Sequence, residues 1–151
     1  MRVTARVDYA VRSAVELAHA APGSLTADTI AARQGLPLAF TKQILSAMRR
    51  SGLVHSQRGG EGGYRLSTAP SEVTVADIVR VVEGPLADVR GEAPETLTYP
   101  DGTDVLRELW IATRASLRAV LENVTLADLA AGRLPDDAAR FTEQSGAWER
   151  R

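Results

Sequence analysis

Between Thr26 and Ser67 the chain is punctuated so closely that few folds can accommodate it, and this stretch constrains the architecture more than any other. Thr26 is placed to cap a helix, with Leu25 and Ile30 at the spacing of a hydrophobic staple, and Gly35 ends that helix after about Gln34. Pro37 follows almost at once, and its missing N–H costs nothing in the first turn of a new helix. That helix reaches Arg50 or Ser51, with Phe40, Ile44, Leu45 and Met48 along one face, and Gly52 closes it. Leu53–Gln57 then reads as a strand, RGGEGG as a glycine-rich tip, and Tyr64–Ser67 as the returning strand. Two short helices about a glycine turn, followed by a hairpin, describe a winged helix-turn-helix.

The flanking segments complete a mainly α fold with a small β-hairpin wing. Val7, Val11, Ala14 and Ala18 recur at helical spacing, widened by Ala10, Val15 and Leu17, and Pro22-Gly23 stops this first helix. A fourth helix begins after Thr74, with Asp77 completing a capping box and Val73 and Ile78 a staple, and ends near Gly84-Pro85. Residues 85–104 carry three prolines and two glycines among few large apolar groups, the composition of a loop. A long helix over about 105–123 follows, its stripe of Leu106, Leu109, Thr113, Leu117, Val120 and Val124 narrow and nearly heptad; a helix of ~20 residues reaches ~30 Å. A last short helix is capped by Thr125 and Asp128 and ended by Gly132 and Pro135. The expected organisation is therefore a winged domain over 1–84, a loop over 85–104, a dimerisation helix with a short C-terminal helix over 105–134, and a polar tail over 135–151 that holds Phe141 and Trp148.

Charge is distributed unevenly along this plan. Through Ser67, nine Lys or Arg stand against four acids, an excess of +5; beyond it nine Arg face fifteen acids, an excess of −6. A basic N-terminal half suits a polyanion partner. On the third helix the apolar stripe leaves Ala39, Lys42, Gln43, Ser46, Arg49 and Arg50 on the other side, short-chained near the start and rich in donors beyond. Small residues let a backbone approach a major groove while Lys and Gln reach base edges. Thr26, Thr41, Arg58, Gly59 and Gly60 are expected to join that face, the arginine at the wing base entering a narrow, electronegative minor groove. RGGEGGY lacks the Lys-Ser/Thr of a phosphate-binding nucleotide loop, and Tyr64 reads as a strand aromatic packed on the hairpin.

These residues resemble the Rrf-two family of bacterial winged helix-turn-helix regulators. Tyr9-Ala10, Ile30-Ala31, Gly35, KQIL at 42–45, SGLVHSQRG at 51–59, GGYRL at 62–66, TVADIVRVVEGP at 74–85 and VTLADLAAG at 124–132 carry the likeness, which spans about residues 1–134. It implies a transcriptional repressor that binds double-stranded DNA at a palindromic operator, as a homodimer whose long helix crosses to its partner through Leu106, Leu109, Trp110, Leu117 and Val120. It does not carry over a cofactor. Sensing members hold an iron–sulfur cluster on cysteines of the loop before the long helix, whereas residues 85–104 offer Asp88, Glu92, Glu95, Asp101 and Asp104, hard oxygen groups, and the chain has no cysteine. Asp8 and His19 are read as a surface carboxylate and a helix-face imidazole rather than metal ligands.

No catalytic constellation is visible: there is no cysteine, and the two histidines, His19 and His55, fall in a helix and a strand. The alternative to DNA binding is a winged-helix module for protein contact, which would lack steep salt sensitivity on DNA or heparin. A small-molecule or protein effector is the expected kind of signal. The charged N-terminus and the lack of an apolar run near ~18 residues point to a cytoplasmic protein with no membrane partner.

Overall fold

A computed structural model of the chain describes residues 3–59 and 62–149. Helices α1 (Ala5–Ala20), α2 (Ala27–Gln34) and α3 (Leu38–Arg50) precede a hairpin of β1 (Val54–Gln57) and β2 (Gly63–Leu66); α4 (Val75–Glu83), α5 (Val105–Leu121), α6 (Leu126–Ala130) and α7 (Asp136–Ala139) follow. The hairpin is antiparallel, with Val54 opposite Leu66 and Gln57 opposite Gly63. It gains a third partner that local sequence did not announce. Leu25 bridges Tyr64, its N–H donating to the Tyr64 carbonyl at 2.9 Å and its carbonyl accepting from the Tyr64 N–H at 2.7 Å, so the wing is bonded directly to the start of α2.

Local capping sets most helix starts. The Thr26 hydroxyl accepts from the Thr29 N–H at 3.1 Å, and Gly35 closes α2 in the left-handed conformation at φ 61°. Two matching boxes, Thr74 with Asp77 and Thr125 with Asp128, open α4 and α6. They also lie side by side: the Val75 N–H donates to the Val124 carbonyl and the Leu126 N–H to the Val73 carbonyl, both at 2.9 Å. This bridge draws α6 back to the N-terminal unit, where Leu126 is fully buried in one core with Leu17, Ile30, Ile44, Leu45, Met48, Val54 and Ile78. Each such side chain contributes about 1.5–3 kcal/mol by leaving water.

Three details depart from the sequence reading. Pro37 stands just outside α3, at its N-cap position, instead of within the first turn. The 85–104 segment contains a 3-10 turn at Pro94–Thr96 and buries Leu86, Pro94 and Leu97, which anchor it. In the polar tail, α7 forms and tucks Ala138 away, while Trp148 stays 85% exposed.

Candidate nucleic-acid interface

The surface of α3 follows from how the helix is wedged into the core. Ile44, Leu45, Ala47 and Met48 are buried, and Phe40 packs edge-on against Tyr9 of α1 with ring centroids 5.7 Å apart. Ala39, Lys42, Gln43, Arg49 and Arg50 are left exposed, with Ser46 half-buried and receiving a hydrogen bond from the Arg50 guanidinium at 2.9 Å. Thr41 does not join them. It is 0% exposed, on the same stripe as Ile44, Leu45 and Met48, and its hydroxyl donates to the Pro37 carbonyl at 3.1 Å. A buried, satisfied hydroxyl cannot meet a phosphate, so the expectation for Thr41 is corrected to a core role.

The helix-turn-helix is held against α1 by a polar network. Glu16, almost buried, accepts from Gln34 at 2.6 Å and pairs with Arg33 at 3.2 Å. Arg12 donates through Nε to the Gln34 side chain at 3.0 Å, donates to the Gln34 carbonyl, and pairs with the exposed Asp8 at 3.3 Å. Asp8 is thus an ion-pair partner, and His19 lies 3.0 Å from the Ala130 carbonyl of α6 through Nε2. Among the described residues, no three His, Cys, Asp or Glu side chains gather as a metal site.

In the wing, Val54 and Leu66 face inward while His55, Gln57 and Arg65 are exposed. Arg58 and Gly59 are exposed at the tip, the latter at φ 116°; Gly60 lies outside the described residues. The glycines close to β2 serve the fold itself. A Cβ on Gly63 would stand 2.6 Å from the Leu25 carbonyl oxygen, and one on Gly62 would stand 2.6 Å from that of Gln57. Both allow the protein's own backbone to come close. The same geometry brings Thr26, Thr29, Gln57 and Arg65 around one open cleft between α2 and the wing. Arg65 was missed at the sequence level, although alternation in the returning strand places it on the outer face opposite His55.

Unpaired cations gather on this surface. Lys42, Arg49, Arg50, Arg58 and Arg65 form no ion pair among the described residues; Arg6, Arg90 and Arg107 also form none but are scattered over α1, the 85–104 loop and α5, and Arg12, Arg33, Arg80, Arg114, Arg118, Arg133 and Arg140 each hold a carboxylate. Five such cations clustered on one helix and the wing leave their charge open to the phosphates of a duplex.

A family model described as Rrf2, iron-dependent transcriptional regulator, matches residues 3–132. The chain belongs to the Rrf2 family. It is 45% identical over 150 residues to a Mycobacterium tuberculosis chain named as an HTH-type transcriptional regulator, a match covering 99% of this chain and 93% of that one. It is 35% identical over 131 residues to the HTH-type transcriptional regulator CymR of Bacillus subtilis, covering 86% and 90% respectively. The solved structure of CymR, titled the global cysteine regulator of B. subtilis, superposes with a TM-score of 0.74 at 34% identity, covering 87% of this chain and 98% of that one. This Rrf2 member is accordingly a winged-helix, DNA-binding transcriptional regulator, and its relatives are regulators and not enzymes. The family description names iron, but an iron–sulfur centre needs thiolates and this chain has no cysteine, so its residues do not fit one. No described helix is long and apolar enough to cross a membrane.

Away from the cationic face, α5 stands out because none of its residues is buried. Leu106, Trp110, Leu117 and Val120 are half-covered by the chain itself, the Trp110 indole N–H donating to the Tyr99 hydroxyl at 3.0 Å. Val105 and Leu109 are 62% and 50% exposed, and Ile111 joins them. Of the residues expected to dimerise, Leu109 is therefore the most exposed, and Val105 and Ile111 are exposed apolar residues outside that set.

Proposed function

We propose that this Rrf2 member is a cytoplasmic repressor that binds a palindromic operator as a homodimer joined along α5, and that it does so without an iron–sulfur cluster. The observation that carries the DNA reading is the set of cations without carboxylate partners on α3 and the wing. Lys42 and Gln43 read base edges one turn into the recognition helix; Ala39 permits close approach, and Ser46, Arg49 and Arg50 continue the contact along the groove. Thr26 and Arg65 hold the backbone near the start of α2, and Arg58 with Gly59 places the wing in the minor groove. Dimerisation rests on the exposed Val105 and Leu109, which share a face of α5, with Leu106, Trp110, Leu117 and Val120 beside them on the same side of the helix. Symmetric pairing of α5 sets two recognition helices on half-sites about 34–36 Å apart, one turn of the duplex.

Selection of bound sequences from random duplex DNA tests this reading directly. The expected product is an inverted repeat bound by two chains, with affinity falling steeply as salt rises. Unselected DNA, or a protein that sediments as a folded monomer at micromolar concentration, would sink the dimeric-operator model.

A further inference from the structure

A cavity of about 480 Å³ opens between α4 and α5, under the loop that joins them. Three guanidiniums line it, Arg80 from α4 and Arg114 and Arg118 from α5, with Asp88 as the only carboxylate in the lining. Its size lies within the ~300–1,000 Å³ typical of small-molecule sites. Arg114 is the most enclosed of the three, its side chain only 16% exposed.

The arginines are anchored from outside the cavity. Glu95 pairs with Arg114 at 2.6 Å, and Glu122 receives both Arg80 and Arg118. Each guanidinium carries five N–H donors, and these pairs, with Asp77 beside Arg80 at 3.5 Å, use one or two on each. The remaining donors come from two different helices, an arrangement suited to an acid that presents more than one anionic group. The loop over the cavity is a fixed turn: Val89 and Glu92 exchange backbone hydrogen bonds at 3.0 and 3.1 Å. Ala87 before the turn and Arg90 within it are held at φ 58° and 57°, a conformation that non-glycine residues adopt at an energetic cost.

We propose that this cavity binds a small anion carrying two or more carboxylate or phosphate groups, held between Arg80 of α4 and Arg114 and Arg118 of α5. Such a ligand ties the winged unit to the base of the exposed helix, where the Arg80–Glu122 pair is the ion pair now joining them. Binding to this cavity does not depend on the operator reading, and it is measured without DNA.

Isothermal titration of the full chain at fixed ionic strength, with citrate in one arm and inorganic pyrophosphate in the other, tests the assignment. Saturable binding is expected in at least one arm, which distinguishes carboxylate from phosphate preference, while acetate gives none. Arg114→Gln and Arg118→Gln should each weaken it at least tenfold and Arg58→Ala should leave it unchanged. Because the Arg118 side chain is 48% exposed, Arg118→Gln removes the charge with little demand on folding, and circular dichroism confirms that the fold persists. Absence of saturable binding in both arms would overturn the proposal. Binding that survives Arg118→Gln would also overturn it, as would binding lost in Arg58→Ala, which would place the anion on the DNA face.

Discussion

Helices α3 and α5 are both amphipathic, and they spend their apolar faces in opposite ways. In α3, Thr41, Ile44, Leu45, Ala47 and Met48 are buried by the chain's own α1, α2, α4 and hairpin, which leaves its polar face free and rigidly mounted. In α5, longer at 17 residues, nothing is buried, because its neighbours are a 3-10 turn, the end of α4 and the short α7. A helix finished by its own chain can present chemistry outward. One left with Val105 and Leu109, four residues apart on one face, in water presents an apolar strip suited to a second surface.

The largest effect should therefore separate the two helices by stability. Leu45→Ala empties a fully buried site in α3 and is expected to cost about 2–5 kcal/mol, with a matching loss in thermal midpoint. Leu109→Ala should leave monomer stability within about 0.5 kcal/mol while raising the concentration at which the dimer sediments. Equal losses of stability in the two variants would erase the distinction.

Gly63→Ala probes the seam between wing and α2. The added methyl would press on the Leu25 carbonyl at 2.6 Å, so backbone must shift and the bridge to Tyr64 loosen, at a cost of about 1–3 kcal/mol. Hydrogen exchange at the Leu25 and Tyr64 amides should accelerate more than exchange in α5, and unchanged protection of those amides would refute the seam.

On the outward chemistry of α3 and the wing, two substitutions should differ in kind. Gln43→Ala should change which operator bases matter by about 1–3 kcal/mol of discrimination, with the salt slope nearly intact. Arg58→Ala should weaken binding to operator and scrambled DNA alike and lower the salt slope by about one unit. Affinities measured across a salt series decide it; if both folded variants bind as the parent does, these residues are not part of the DNA face.

What could be read from the sequence was what local chemistry determines. Thr26, the two Thr-Asp boxes and Gly35 announced helix ends because each satisfies backbone groups within a turn of itself. Thr41 was legible too: it shares the stripe of Ile44, Leu45 and Met48, and strict helical spacing would have placed it inside. The Leu25–Tyr64 bridge was not, because its partners lie far apart in sequence and Leu25 stands in a short link with no strand signal of its own. The reason for Gly62 and Gly63 was hidden with it. On α5 the heptad stripe was visible, but which side the chain covers depends on how the 85–104 loop packs, so the exposure of Val105 and Ile111 could not be read from it. The three arginines of the α4–α5 cavity converge only through that same packing.

The smallest effect concerns the link that returns the chain from α5 to the core. Asp128 sits below its ordinary carboxylate value, chiefly because the Thr125 hydroxyl donates to it at 2.6 Å, and then because the Thr125 backbone N–H does so at 3.1 Å. A carboxyl whose folded value is depressed binds its proton more readily in the unfolded chain, so its contribution is present above the unfolded value and fades as pH falls through the folded one. Asp128→Asn removes the charge but keeps a side chain of similar shape. The thermal midpoints of parent and variant should differ at pH 6 and converge toward pH 3, with Leu109→Ala in the same background altering neither value of the difference. A gap that stays constant over that range would mean that the shape of the cap, and not its charge, holds α6 against the winged core.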